Sequence, residues 1–125
     1  LSMILPCIAS GNRVVAVPSL KAALIVADFY QLLDTSDVPG GVINLVTGVP
    51  SELATVLAAH DDVAAIWAVG PADECEQIKK ESAGNLKSVW TSDGKSPDWY
   101  DSQTEGSSWL ERATQVKNIW VPYGE

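Results

Sequence analysis

Between Gly11 and Gly48 the chain reads GNRVVAVPSLKAALIVADFYQLLDTSDVPGGVINLVTG, and this stretch limits the possible folds more than any other. A short β-branched run, Arg13 to Val17, is followed by a proline-containing turn, a helical pattern, a Gly-Gly loop and a second β-branched run, Val42 to Val46. Two such strands joined by a helix of about a dozen residues run parallel, because a parallel pair needs a crossover of that length. A ligand on such a sheet sits beyond the carboxyl ends of the strands. The turns after Val17 and after Val46 are therefore the first places to search for function, and Pro18-Ser19 and Thr47-Gly48 offer little to an enzyme.

A length of 125 residues suits one domain with one core and is too short for two ordinary ones. The apolar share of 46% excludes a disordered tail, and a net charge of −8 argues against nucleic acid or anionic lipid as partner. Cys7 and Cys75 are far apart and have no Cys or His neighbours at metal-site spacing, so they read as reduced thiols of a cytoplasmic chain without a metal. The apolar opening LSMILPCIA is too short for a membrane span and lacks the basic flank of a signal peptide. It reads as the end of a helix, with part of the parent fold expected upstream.

Along the chain, Gly11-Asn12 ends the first helix and the unbroken Val14–Val17 run suits a strand covered on both faces. Leu24, Ile25, Phe29, Leu32 and Leu33 place one broad apolar face on a helix from about Lys21 to Leu33. Ser51 is expected to cap a helix running to about His60, with Leu53, Val56 and Leu57 inward. His60, the only histidine, stands beside Asp61 and Asp62 at a helix end and is given no chemical role. A third strand, Val63 to Val69, ends at Gly70-Pro71; a helix follows from Asp73 to about Ala83, with Cys75 and Ile78 inward; Leu86 to Thr91 makes a fourth strand. The polar stretch Ser92 to Ser108 reads as a surface loop of unusual length. A helix from Trp109 to Val116, with Trp109, Leu110, Ala113 and Val116 inward, and a last strand Ile119–Val121 before Pro122 complete the pattern.

Several of these segments, in order, resemble the coenzyme-binding half of the aldehyde dehydrogenases: Gly11-Asn12-Arg13-Val14-Val15 with Pro18-Ser19; Pro39 through Gly48; His60-Asp61-Asp62-Val63 with Gly70; and Asn85-Leu86-Lys87 with Gly94-Lys95-Ser96-Pro97. The resemblance implies a Rossmann-like parallel sheet flanked by helices, truncated, as a single degenerate domain over 1–125, with a polar loop at 91–108 replacing the catalytic domain. It also implies departures. The family's ribose-binding lysine and acid are Val17 and Leu20 here, and its Phe-Thr-Gly-Ser turn is Ala68-Val69-Gly70-Pro71, with a proline that cannot donate. Asp73, Glu74 and Glu76 stand at a helix start that faces a pyrophosphate in the family, where carboxylates repel phosphate. The general-base glutamate falls within Thr91-Ser92-Asp93, one residue out of register, so that Asp93 is a poor substitute. No cysteine follows Cys75, and neither Cys7 nor Cys75 matches the nucleophile. The tail Trp120-Val121-Pro122-Tyr123-Gly124 and the segment Asn85 to Trp90 resemble the shortened second module of aldehyde dehydrogenase family 16.

Two readings follow. In the first, the chain is a non-catalytic module for packing, oligomerisation or protein interaction within a larger aldehyde dehydrogenase, with no cofactor. Its partner is its own upstream enzyme module, a second copy in a homo-oligomer, or another protein. Trp67, Trp90 and Trp120 are expected in the core, and Trp99 with Tyr100 in the polar loop forms the expected exposed contact. In the second, the chain is the NAD(P)-binding part of an active enzyme whose catalytic half lies elsewhere, and Ser19, Thr47, Gly48 and Gly70 line the dinucleotide. A small fold unrelated to dehydrogenases is a third possibility. In a sheet of order 3-2-1-4-5 the chain as given starts after the central strand. That place is expected to be filled by upstream sequence, a partner strand or Ile119–Val121.

Overall fold

The computed structural model describes residues 1–101 and 107–124. The elements are α1 (Ile4–Ala9), β1 (Val14–Ala16), a 3-10 turn (Leu20–Ala22) leading into α2 (Ala23–Asp34), β2 (Ile43–Leu45), α3 (Pro50–Ala59), β3 (Ala65–Ala68), α4 (Ala72–Glu81), a 3-10 turn (Ser82–Gly84), β4 (Ser88–Thr91) and α5 (Ser107–Arg112). Local chemistry explains their limits. Thr35 and Ser36 hydroxyls donate to the carbonyls of Gln31 and Leu33 at the end of α2. Gly41, at φ 84°, turns the chain into β2 in a conformation that a residue with a Cβ rarely takes. Pro50 occupies the first turn of α3, where its missing N–H is no loss, so Ser51 lies inside the helix and caps nothing. In α4, Asp73 and Glu74 sit in the first turn and Lys79 and Lys80 in the last, matching the helix dipole.

All strand pairing among the described residues is parallel. Val14, Val15 and Ala16 lie opposite Ile43, Asn44 and Leu45, while Ala65 to Ala68 lie opposite Ser88 to Thr91. This gives the α/β architecture with helix-flanked parallel strands, but the strands form two separate pairs, β1-β2 and β3-β4. The expected filler from the same chain is absent: Ile119–Val121 is not a strand, and Trp120 is 93% exposed instead of lying in a core. A strand-type sequence becomes a strand only when an edge receives it.

Register divides the β3-β4 pair into two faces. Ile66 and Val89, opposite each other, turn toward α3 and α4, where Ala58, Ile66 and Ile78 form the core with Leu57 and Ala68 packed on it. Trp67 and Trp90, also opposite each other, meet Trp109 of α5, with ring centroids 5.1 and 4.8 Å away. The inward turn of Cys75 and Ile78 is as expected, and Trp109 is buried at 6% exposure. α5 also packs on α1, and the Asn12 side-chain amide donates to the Ala113 carbonyl at 2.7 Å, so this short helix touches both halves.

Other apolar patterns lack the cover they predict. Leu24, Ile25 and Leu32 of α2 are exposed, leaving Val26, Phe29 and Leu33 as its half-buried stripe. Val15 is exposed, so β1 is not covered on both faces; Val56, Leu110 and Val116 also face solvent. The chain exposes 9379 Å². A compact monomer of this length exposes about 6,400 Å², so the surplus is roughly 3,000 Å².

Candidate functional site

The turns at the strand carboxyl ends fall into two groups. Ser19 lies exposed after β1, its carbonyl accepting the Ala22 N–H at 2.9 Å, and Thr47 lies exposed after β2. Gly48 is half-buried beneath Leu53: a Cβ at this position would stand 2.9 Å from Leu53 Cδ1. Leu53 thus fills the space above the glycine. Gly70 belongs to the other pair of strands, and among the described residues no hydrogen bond links it to Ser19, Thr47 or Gly48.

The Gly70 turn is closed by the chain itself. Its N–H donates to Ser92 Oγ at 3.2 Å, and its carbonyl accepts the Gly94 N–H at 3.1 Å and the Cys75 thiol at 3.6 Å. Pro71, which has no N–H, precedes α4, and a Cβ on Gly70 would meet Glu74 Oε2 at 3.4 Å. At this turn a hydroxyl accepts the Gly70 N–H, a proline supplies no donor, and a carboxylate stands beside the helix start. Ser92, 8% exposed, was not singled out in the sequence; a small hydroxyl residue directly after a strand and before Asp-Gly was the available signal.

Asp93 serves the same closure. It takes φ 49° and accepts hydrogen bonds from Lys79 Nζ and Thr91 Oγ1, each at 2.6 Å. The Lys79 ammonium, then the Thr91 hydroxyl, hold its carboxyl below the usual carboxylate range. The thiols are quiet. Cys75 is fully buried, whereas Cys7 is half-buried, donates to the Met3 carbonyl at 3.3 Å and has its pKa raised by burial. His60 Nδ1 accepts the Asp62 N–H at 3.1 Å at the end of α3. No group of three or more His, Cys, Asp or Glu side chains suited to a metal occurs among the described residues.

Trp99 stacks on Trp109 with centroids 6.5 Å apart and keeps part of its ring in solvent; Tyr100 beside it is 98% exposed. At the opposite ends of the strands, Lys87 Nζ donates to the carbonyls of Leu57, Ala58 and His60 at 3.1, 2.6 and 2.8 Å, and the Asn85 amide donates to the Asp61 carbonyl. These two residues tie the end of α3 to the start of β4. No helix among the described residues is long and apolar enough to cross a membrane.

Comparison with known proteins agrees with this architecture. The profile described as "Aldehyde dehydrogenase family" matches residues 1–98. The chain is 34% identical over 121 residues to (Z)-2-((N-methylformamido)methylene)-5-hydroxybutyrolactone dehydrogenase of Acinetobacter baylyi, covering 96% of this chain and 24% of that protein. It is 37% identical over 86 residues to mouse 2-aminomuconic semialdehyde dehydrogenase, covering 69% and 18%. The crystal structure of an aldehyde dehydrogenase from Bartonella henselae superposes with a TM-score of 0.66 at 31% identity, covering 70% of this chain and 18% of that one. The chain therefore spans about a quarter or less of these relatives. On the strength of its sequence and of its helix-flanked parallel strands, it belongs to the aldehyde dehydrogenase family.

Proposed function

We propose that this chain is a non-catalytic aldehyde dehydrogenase module with a structural, oligomerisation or protein-interaction role within a larger aldehyde dehydrogenase, most like the truncated second module of family 16. The observation that carries the reading is the closed Gly70 turn, whose N–H is taken by Ser92 Oγ and which is followed by Pro71, a residue with no N–H to offer; the two unjoined strand pairs leave edges for packing. Strand edges left bare in mid-sheet accept another strand, from the parent polypeptide or from a partner. The same closure of the Gly70 turn supports a reading without a cofactor. Trp99 and Tyr100 belong to the contact surface. The two free thiols fit a cytoplasmic setting.

The second reading is a cofactor-binding portion of an active NAD(P)-dependent enzyme, with Ser19, Thr47, Gly48 and Gly70 along the dinucleotide. The family match over residues 1–98 and relatives named as dehydrogenases favour it. Calorimetric titration with NAD and NADP, together with sedimentation analysis, decides between the two. No binding at millimolar dinucleotide with a chain that associates supports the first; saturable millimolar or tighter binding by a monomer overturns it.

A further inference from the structure

The chain holds both an unpaired apolar segment and a groove that a strand would fill. The segment is Ile119, Trp120 and Val121, exposed and in no strand ladder, preceded by Lys117 and followed by Pro122, which cannot extend a ladder. The groove lies between α2 and β2, where an open cleft of about 590 Å³ is lined by Val26, Ala27, Tyr30, Gln31 and Asp34 of α2 and by Leu45 and Thr47.

The ladder geometry shows what that edge offers. The Val14 N–H donates to the Val42 carbonyl and the Val46 N–H to the Ala16 carbonyl, so residues 42, 44 and 46 of this segment face β1. By alternation, the backbone groups of Ile43, Leu45 and Thr47 face the opposite edge, which has no strand partner among the described residues. Strand addition uses such an arrangement: main-chain bonds along an edge, with alternate side chains lodged against a neighbouring helix. The β2 edge spans three residues, as does Ile119–Val121.

We propose that the tail segment Ile119–Val121 of one copy of this chain adds as a parallel strand to the β2 edge of a second copy, with Ile119 and Val121 against the α2 side of the groove. In this orientation Lys117 lies at the amino-terminal end of β2. Asp34 closes α2 at that end, because a crossover helix runs antiparallel to its strands, so opposite charges meet. The arrangement gives the oligomerisation reading above, on which it rests, a specific contact.

Sedimentation velocity of the full chain over a range of concentrations, repeated with Ile119→Asp, tests the proposal. Ile119 is 84% exposed, so the substitution leaves the fold of the single chain intact. The expected result is association by the native chain, weakened about tenfold or more by Ile119→Asp, and dispersal of the oligomer by a synthetic peptide of residues 116–124. Hydrogen exchange should show the Leu45 and Thr47 amides protected at high concentration in the native chain and not in the variant. Association unchanged by Ile119→Asp, or protection falling on β1, β3 or β4, overturns the tail contact while leaving an oligomeric module in place. A chain monomeric throughout overturns the contact between copies, whether or not its β2 amides are protected.

Discussion

Lys87→Met preserves side-chain length and removes the ammonium that gathers three carbonyls at the end of α3. Hydrogen bonds to a charged group contribute about 1.5–3 kcal/mol each when measured singly. The three share one donor group and the His60 carbonyl lies at an exposed residue that water reaches, so their sum is not the right figure. The inner two lie beside Ala58, which is 1% exposed, and losing the donor leaves their carbonyls poorly solvated. We expect a loss of about 2–3 kcal/mol, or a fall in Tm of roughly 6–15 °C for a domain of this size. The assay is urea unfolding followed by circular dichroism, with Lys80→Met at an exposed position of α4 as the control, expected within about 0.5 kcal/mol of the native chain. A Lys87→Met variant indistinguishable from that control would refute the view that this lysine fastens α3 to β4.

Trp109→Ala removes the ring on which Trp67, Trp90 and Trp99 converge and should cost about 3–5 kcal/mol, with red-shifted tryptophan emission as the surviving rings meet water; unchanged emission would deny the cluster. Asp93→Asn should lower stability at neutral pH. Because the folded-state pKa of Asp93 is depressed, its contribution is present above the unfolded carboxylate value of about 4 and is lost as pH falls through the folded value. Melting curves of the native and Asp93→Asn chains should therefore converge in acid, and a gap that widens there would contradict the Lys79 pairing. Thiol titration of the native chain should find Cys75 unreactive and Cys7 slow, both reacting in denaturant; rapid native labelling of Cys75 would contradict its burial.

The β1-α2-β2 unit was legible in the sequence because its information is local. Proline and Gly-Gly mark the turns, β-branched runs mark strands, and a 3.6-residue apolar repeat marks the helix. The same holds for Cys75 and Ile78, whose spacing on a helix with a charged outer face leaves one way to turn. For the candidate site the resemblance marked only departures from the family's pattern, at Val17, Leu20 and Pro71. Its actual closure was not legible. Ser92 lies 22 residues beyond Gly70, and only the β3-β4 register brings its hydroxyl to that N–H. The Lys79–Asp93 pair and the lysine clasp on α3 arise in the same way, from groups 14 and about 30 residues apart.

Residue order alone determined that this chain alternates strands with helices, that its strands run parallel, and which side chains seek cover. Whether cover is present was decided only in three dimensions. Leu24, Ile25, Val56 and Trp120 carry the signature of buried residues and stand in solvent, while Trp109 is enclosed by three other indoles. The physical reason is that periodicity encodes a demand for apolar contact, whereas burial depends on a second surface arriving from elsewhere in space.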